Sequence, residues 1–310
     1  MVVFIICFCI LYFIVSSVLS FRYDDGVLQM EQFYRQPRGS IDVLVLGSSH
    51  AFVDVDPQIL HDEAGVNAYD LGASMQYMWH TYYDLEEALK YQKPKLIVLD
   101  VFRMIETFDY SKESKLIKSV YGMRPSITKL NSIKAGLEKN DTFEAFKYFF
   151  RLPVSHGKYE DLKKEDFDLL QKPDKDYKGH YSAVEVTPKI MPDVSAVTDR
   201  YPIEEKTKEY FLMILDKAGE EDIPVLLINV PYMITEDDKM VYNSLEDVLG
   251  SYNGKADIKY LDFNLPKMYE ELGLDFSTDF ADDDHLNKGG TDKLGSFLAR
   301  YIKENYRIGR

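Results

Sequence analysis

The chain has 310 residues, enough for one large α/β domain or two small ones, and its 45% hydrophobic and 14% aromatic content suits a globular protein with a substantial core. A formal net charge of −15, with no Lys/Arg run and no zinc-finger spacing, argues against a nucleic-acid surface and equally against an electrostatic grip on anionic lipid. Both cysteines, Cys7 and Cys9, lie in the first apolar run, so nothing beyond Cys9 can form a disulfide, a CxxC redox pair or a thiolate metal site.

From Val2 to Leu19 the chain reads VVFIICFCILYFIVSSVL, 18 residues without a charge, and with Phe21 the run approaches the length that spans hydrocarbon. A membrane anchor, a cleaved signal peptide and a buried core helix compete for it. Its length and the lack of a basic flank favour a transmembrane anchor over residues 1–21, although SSVLS offers small residues to a peptidase. No Lys or Arg precedes the run, whereas Arg22, Arg35 and Arg38 follow it, which nominally turns the C-terminal part inward. Residues 22–40 are polar and read as a linker.

Beyond the linker, strand and helix patterns alternate. IDVLVLG (41–47) is a continuous apolar run, as expected of a parallel strand buried on both faces. VDPQILHDEAG (55–65) suits a short helix, with Pro57 near its start and Gly65 past its end. NAYDLGAS (67–74) reads as a short strand and turn, residues 78–92 as a helix, and KPKLIVLDVF (93–102) as a third strand. The rhythm then breaks over 103–201, a stretch rich in Lys, Asp, Tyr and Pro, with one helix near 141–150 and a loop-like tract from 172 to 202. Such an insertion over the carboxyl edge of a sheet is a common place for substrate loops. Alternation resumes with a helix over 204–222, a strand at 223–231, a helix in EDDKMVYNSLEDVLGSY, a strand at 256–263 and a closing helix over 291–306. The pattern predicts one αβα sandwich over 41–310 on a central parallel sheet.

Two clusters carry chemistry. VLVLGSSHAF ends the first strand on Gly47-Ser48-Ser49, and open α/β sheets place their chemistry at the carboxyl ends of strands. DFADDDHLNKGG places Asp282 three residues before His285, just before the last helix. Separately, each is explained by turn, cap or solvated-loop chemistry. Jointly they supply a serine, a base and a carboxylate to orient the base.

On these residues the sequence resembles the SGNH/GDSL hydrolase superfamily, flavodoxin-like esterases and acyltransferases whose nucleophile follows strand one in a G-[DS]-S turn and whose last block is D-x-x-H. The resemblance implies Ser49 as nucleophile, His285 as base and Asp282 as its orienter. It also implies an oxyanion hole from the N–H groups of Ser49 and Gly72, the latter in Asp70-Leu71-Gly72. The third strand normally ends in G-x-N-D; here LIVLDVFRMIE has no Asn, and Arg103 is the nearest strong donor, its bland alternative being an ion pair with Asp100 or Glu106. This departure, the apolar N-terminus and the long insertion resemble the membrane-anchored SGNH proteins that work beside membrane-bound O-acyltransferases, including the teichoic-acid D-alanyl transfer protein and the alginate acetylation proteins. That branch implies a single-pass protein of the cell membrane with its C-terminal domain extracytoplasmic. The implied partners are an acylated glycopolymer substrate and a membrane-bound O-acyltransferase; the implied activity is an ester hydrolase or O-acyltransferase. His156, in FFRLPVSHGKYEDLKKEDF, is a substrate-contact candidate on the same ground.

Other residues have plainer readings. His50 is a site residue or a residue of a helix start, with neither favoured. His80 reads as a helix-surface or aromatic-packing residue, and Asn287 as the cap of the last helix. His61 and His180 have no second His at metal-ligand spacing, the acidic clusters lack EF-hand positions, and no metal or organic cofactor is signalled. Two other functions remain open: a non-catalytic glycopolymer-binding module that scaffolds an acyltransferase, and a lipid esterase on the inner membrane face.

Overall fold

The computed structural model of the chain describes residues 1–105, 113–139, 141–167 and 178–308. Glu106 and the first part of the tract at 172–202 lie outside the described residues. The centre is a five-stranded, all-parallel sheet in the order β2-β1-β3-β4-β5. Its strands are β1 (Val43–Leu46), β2 (Ala68–Asp70), β3 (Leu96–Asp100), β4 (Val225–Asn229) and β5 (Ile258–Asp262). Each falls within a strand anticipated above, and β1, β3 and β4 are buried throughout. In this doubly wound order the chain reverses between β1 and β3, whose carboxyl ends border the crevice where open α/β sheets bind ligands.

The alternation within each strand feeds two cores. Leu44, Leu46, Ile97, Leu99, Val225 and Leu227 pack on one face. They meet α2 (Gln29–Phe33), α5 (Met78–Leu89), α10 (Glu205–Glu220) and α11 (Glu236–Ser251). Val43, Val45, Leu96, Val98, Leu226 and Ile228 pack on the other face. Their helices are α3 (Ser49–Asp54), α4 (Pro57–Ala64), α12 (Pro266–Leu272) and α13 (Lys288–Asn305). Helices on both faces of one parallel sheet are the expected sandwich.

The stretch at 22–40 is not a linker. Met30 and Phe33 enter the first core, and Gln29 donates through Nε2 to Gly179 O at 2.6 Å. The polar look of this stretch misleads because several of its polar residues, Asp25, Gln29 and Gln32, are themselves buried beside Met30 and Phe33. The insertion also carries more helix than one: α6 (Glu113–Tyr121), α7 (Ile127–Ala135), α8 (Thr142–Phe149) and the single turn α9 (Leu152–Ser155). Leu116, Ile117, Val120, Tyr121, Ile133, Ala145 and Tyr148 form a core of their own with Val27. The lysines and serines of α6 and α7 masked that apolar stripe.

The described residues that follow, from 178 to 201, form an extended strap. It lies along the open edge of β2, where Asp70 N donates to Lys178 O at 2.8 Å, and so protects an edge strand from outside pairing. It then passes the start of the second helical layer, with Tyr181 N donating to Phe52 O at 3.0 Å and Thr187 N to Phe280 O at 2.8 Å.

The N-terminal run forms α1 (Val2–Val18), 17 residues with no acidic or basic group in its terminal turns. At 1.5 Å per residue it is about 26 Å long. No helix among the described residues is long and apolar enough to cross a membrane. Most of its side chains are exposed, Phe13 at 71%, and Ser16 is its buried residue.

Candidate active site

β1 and β3 run side by side, with Leu46 paired to Leu99, so the turns that follow them are neighbours. Gly47 has φ of +147°, and a Cβ there would stand 2.5 Å from Asp100 Cβ. Only glycine tolerates both the backbone angle and the approach. Ser48 is completely buried; its Oγ donates to Asp100 Oδ2 at 2.7 Å and its N–H to the same oxygen at 3.1 Å. The other oxygen, Oδ1, accepts from Phe102 N at 2.9 Å. Burial raises the Asp100 pKa, against the opposing pull of these donors and of the nearby Arg103 charge. Ser48 is thus fixed as the cap of α3, while Ser49, the first helical residue, is partly exposed.

The base arrives from the other end of the chain. Asp282 Oδ1 accepts from the His285 N–H at 2.8 Å, and His285 Nδ1 lies 3.0 and 3.1 Å from the two Asp282 oxygens. With Nδ1 as the donor, Nε2 is the lone-pair nitrogen; it is buried without a hydrogen-bond partner. The Asp282 pKa is pulled in opposite directions: partial burial raises it, but the His285 hydrogen bonds and charge and the Asp284 N–H outweigh that, leaving it below the ordinary carboxylate value. Its side chain is 60% exposed, against 20% for His285, so the orienting carboxylate sits at the rim.

Docking of this loop is specific. Leu286 N donates to Asp54 Oδ1 at 2.9 Å across 232 residues of chain, and Thr291 Oγ1 donates to Val53 O at 3.4 Å. Both acceptors belong to the last turn of α3, the helix that Ser49 begins. The ring of His50, next to Ser49, is 5.3 Å from that of His285. The serine turn and the D-x-x-H loop, separated by most of the sequence, are therefore neighbours in space. Asn287 caps α13 as expected, accepting from Gly289 N at 2.9 Å.

His50 is fully buried, stacked 3.8 Å from the Phe102 ring and edge-on to Tyr232 at 5.4 Å. Burial, with His285 and Arg103 adding to it, holds its pKa well below the ordinary value, so it is a neutral wall behind the base. Arg103 is also buried, its guanidinium 4.4 Å over the Tyr77 ring, and bears on the site through charge on Asp100 and His50 from beneath the surface.

Two assignments change. The Gly72 N–H donates to Asp70 Oδ1 at 2.5 Å, so the second oxyanion donor is engaged by a carboxylate. Gly72 has another reason to be glycine: a Cβ there would stand 2.6 Å from Ala51 Cβ and 2.8 Å from Ser48 O, against the serine turn itself. His156 is not brought to the site. It is exposed, with Nδ1 2.9 Å from Pro153 O, in a segment whose Lys158 ties to Ser20 O below α1.

The sequence reading missed Asp100 as the anchor of the serine turn and Asp54 as the anchor of the base loop. The first had a signal, an acid ending the apolar run LIVLD at the crevice; the second had none, because Asp54 and Leu286 meet only in the fold. Among the described residues, no group of three or more His, Cys, Asp or Glu could hold a metal ion. No protein-family model matches the chain, and no curated protein matches it.

Proposed function

We propose that this protein is a membrane-tethered SGNH-type serine esterase or O-acyltransferase that acts on a cell-surface polysaccharide or a teichoic-acid-like polymer. The observation that carries the proposal is the docking of the Asp282–His285 loop on α3, through the Leu286 N to Asp54 Oδ1 bond at 2.9 Å. A base whose Nε2 is buried and unpartnered, in a loop docked on the helix that a partly exposed serine begins, is an arrangement acyl transfer can use once Nε2 and the serine hydroxyl close to hydrogen-bond distance.

In this mechanism His285 Nε2 takes the proton of Ser49 Oγ as the oxygen attacks the ester carbonyl, and Asp282 holds the imidazolium that forms. The tetrahedral oxyanion receives the Ser49 N–H, which as the first in a helix has no intrahelical acceptor. Collapse expels the alcohol, which takes its proton from His285, and leaves an acyl-serine. Water then releases a carboxylic acid, or a sugar or polyol hydroxyl carries the acyl group away. α1 supports the tether: it is charge-free with exposed apolar side chains, and local bilayer thinning meets its shortfall of about one turn against a ~30 Å core. The extracytoplasmic side rests on the family resemblance.

A second reading, a non-catalytic SGNH-like module that binds glycopolymer or scaffolds an acyltransferase, draws on the Gly72 N–H being held by Asp70. Hydrolysis of p-nitrophenyl acetate by the full-length protein separates the two. Turnover lost in both Ser49→Ala and His285→Ala supports the esterase; turnover unchanged in Ser49→Ala refutes it.

A further inference from the structure

A cavity of about 670 Å³ lies between the C-terminal end of α1 and the helices of the insertion, and none of Ser49, Asp282 and His285 lines it. Five basic side chains face it, Arg22, Arg35, Arg124, Lys129 and Arg151, against two carboxylates, Asp24 and Glu31. In a chain of net charge −15 that is a local reversal of sign.

The basic groups are unequally compensated. Arg22 pairs with Asp166 at 3.6 Å and Arg151 with Glu31 at 3.8 Å. Arg124 lies over the Tyr34 ring at 4.1 Å and makes no ion pair among the described residues. Lys129 is 1% exposed, and among the described residues its ammonium makes one hydrogen bond, to Met123 O at 3.3 Å, with the Tyr121 and Phe149 rings 5.8 and 5.9 Å away. A lysine has three donors, and burying its charge with one of them used is costly. Burial and the neighbouring Arg151 accordingly push the Lys129 pKa well below its ordinary value, against the pull of Glu31. The rest of the wall mixes hydroxyls, Ser16, Ser17 and Ser20 among them, with an apolar side made by Phe13, Phe149 and Phe150, and Phe13 continues onto the exposed apolar surface of α1.

We infer that this cavity binds an anionic amphiphile, its phosphate or carboxylate head among Lys129, Arg124 and Arg151 and its hydrocarbon tail along Phe13 and α1. An anionic head completes the unused donors of Lys129, and a hydrocarbon tail packs on the aromatic side formed by Phe13, Phe149 and Phe150. The two available sources are a phospholipid of the bilayer and a soluble single-chain amphiphile. The site stands apart from the serine centre, so its test is independent of that chemistry.

The test is calorimetric titration of the full-length protein in a neutral maltoside detergent with dioctanoyl phosphatidylglycerol, dioctanoyl phosphatidylcholine and octyl phosphate. One phosphatidylglycerol per chain is expected, bound at least tenfold more tightly than phosphatidylcholine. Lys129→Met, which keeps the volume and removes the charge, weakens it at least tenfold; Arg124→Gln, at an exposed position where folding is not at stake, weakens it severalfold; Arg38→Gln, outside the cavity, leaves it unchanged. Displacement of phosphatidylglycerol by octyl phosphate supports a single-chain ligand, and failure to displace it supports a bilayer lipid. Phosphatidylcholine binding as tightly as phosphatidylglycerol, or phosphatidylglycerol affinity unchanged in both Lys129→Met and Arg124→Gln, overturns the inference.

Discussion

Ser48 and Asp100 form the hinge pin of the candidate site: the serine gives both its hydroxyl, at 2.7 Å, and its N–H, at 3.1 Å, to one carboxylate oxygen at the end of the adjacent strand. Of two consecutive serines, one is thereby consumed as structure and the next is left partly exposed. Ser48→Ala removes a buried hydrogen bond to a carboxylate and is expected to cost about 1.5–3 kcal/mol in urea denaturation. Ester turnover falls as Ser49 loses its fixed position, but reactivity at Ser49 persists. A Ser48→Ala protein that is inactive at full stability would make Ser48 the nucleophile instead.

Asp54 is the corresponding anchor for the base. Removing its side chain in Asp54→Ala leaves the buried Leu286 N–H without an acceptor, a loss of about 1–3 kcal/mol, and frees the His285 loop from α3. Asp54→Asn keeps an acceptor oxygen in the same place. The expected result is a drop in kcat for Asp54→Ala with KM little changed, and recovery of most of that drop in Asp54→Asn. Equal damage in the two variants would point to the carboxylate charge rather than to its acceptor role.

The fold also contains a titratable group far from the chemistry. Burial, reinforced by Lys206, pushes the pKa of His80 down to about 3, with its Nδ1 3.0 Å from Ser132 Oγ. A histidine held neutral in the fold and protonated when unfolded stabilises fully above its unfolded pKa, near 6.5. That contribution is lost as pH falls from there toward about 3. The buried Asp54, Asp70 and Asp84, whose pKa values burial raises, carry the opposite sign, so wild-type stability alone is a mixture. The difference between wild type and His80→Gln isolates the histidine. Between pH 7 and pH 5 that difference should shift by about 2 kcal/mol against the wild type in urea denaturation.

What the sequence discloses follows physical reach. The strands were legible because LIVLD, VLVL and VLLIN are apolar on both faces and can only be interior. The closing helix and its Asn287 cap were legible because a cap needs only its own next residues. The segment at 22–40 was misread because its buried face is made of Met30, Phe33 and the polar Gln29, whose partner lies 150 residues on. Gly72 was given a donor role, where its packing against Ala51 and Ser48 depends on two turns meeting. Asp54 and Leu286, at opposite ends of the chain, left no local trace of their contact.

The most direct test of Ser49 as the reacting group is covalent labelling with a fluorophosphonate, which requires a nucleophilic oxygen and a working base but no knowledge of the acyl group or acceptor. Full-length protein is treated with the probe, digested and mapped by mass spectrometry, beside Ser49→Ala and His285→Ala. The expected pattern is one adduct on Ser49 in the wild type and none in either variant. An adduct on Ser48, or labelling of Ser49 that survives His285→Ala at the wild-type rate, contradicts it.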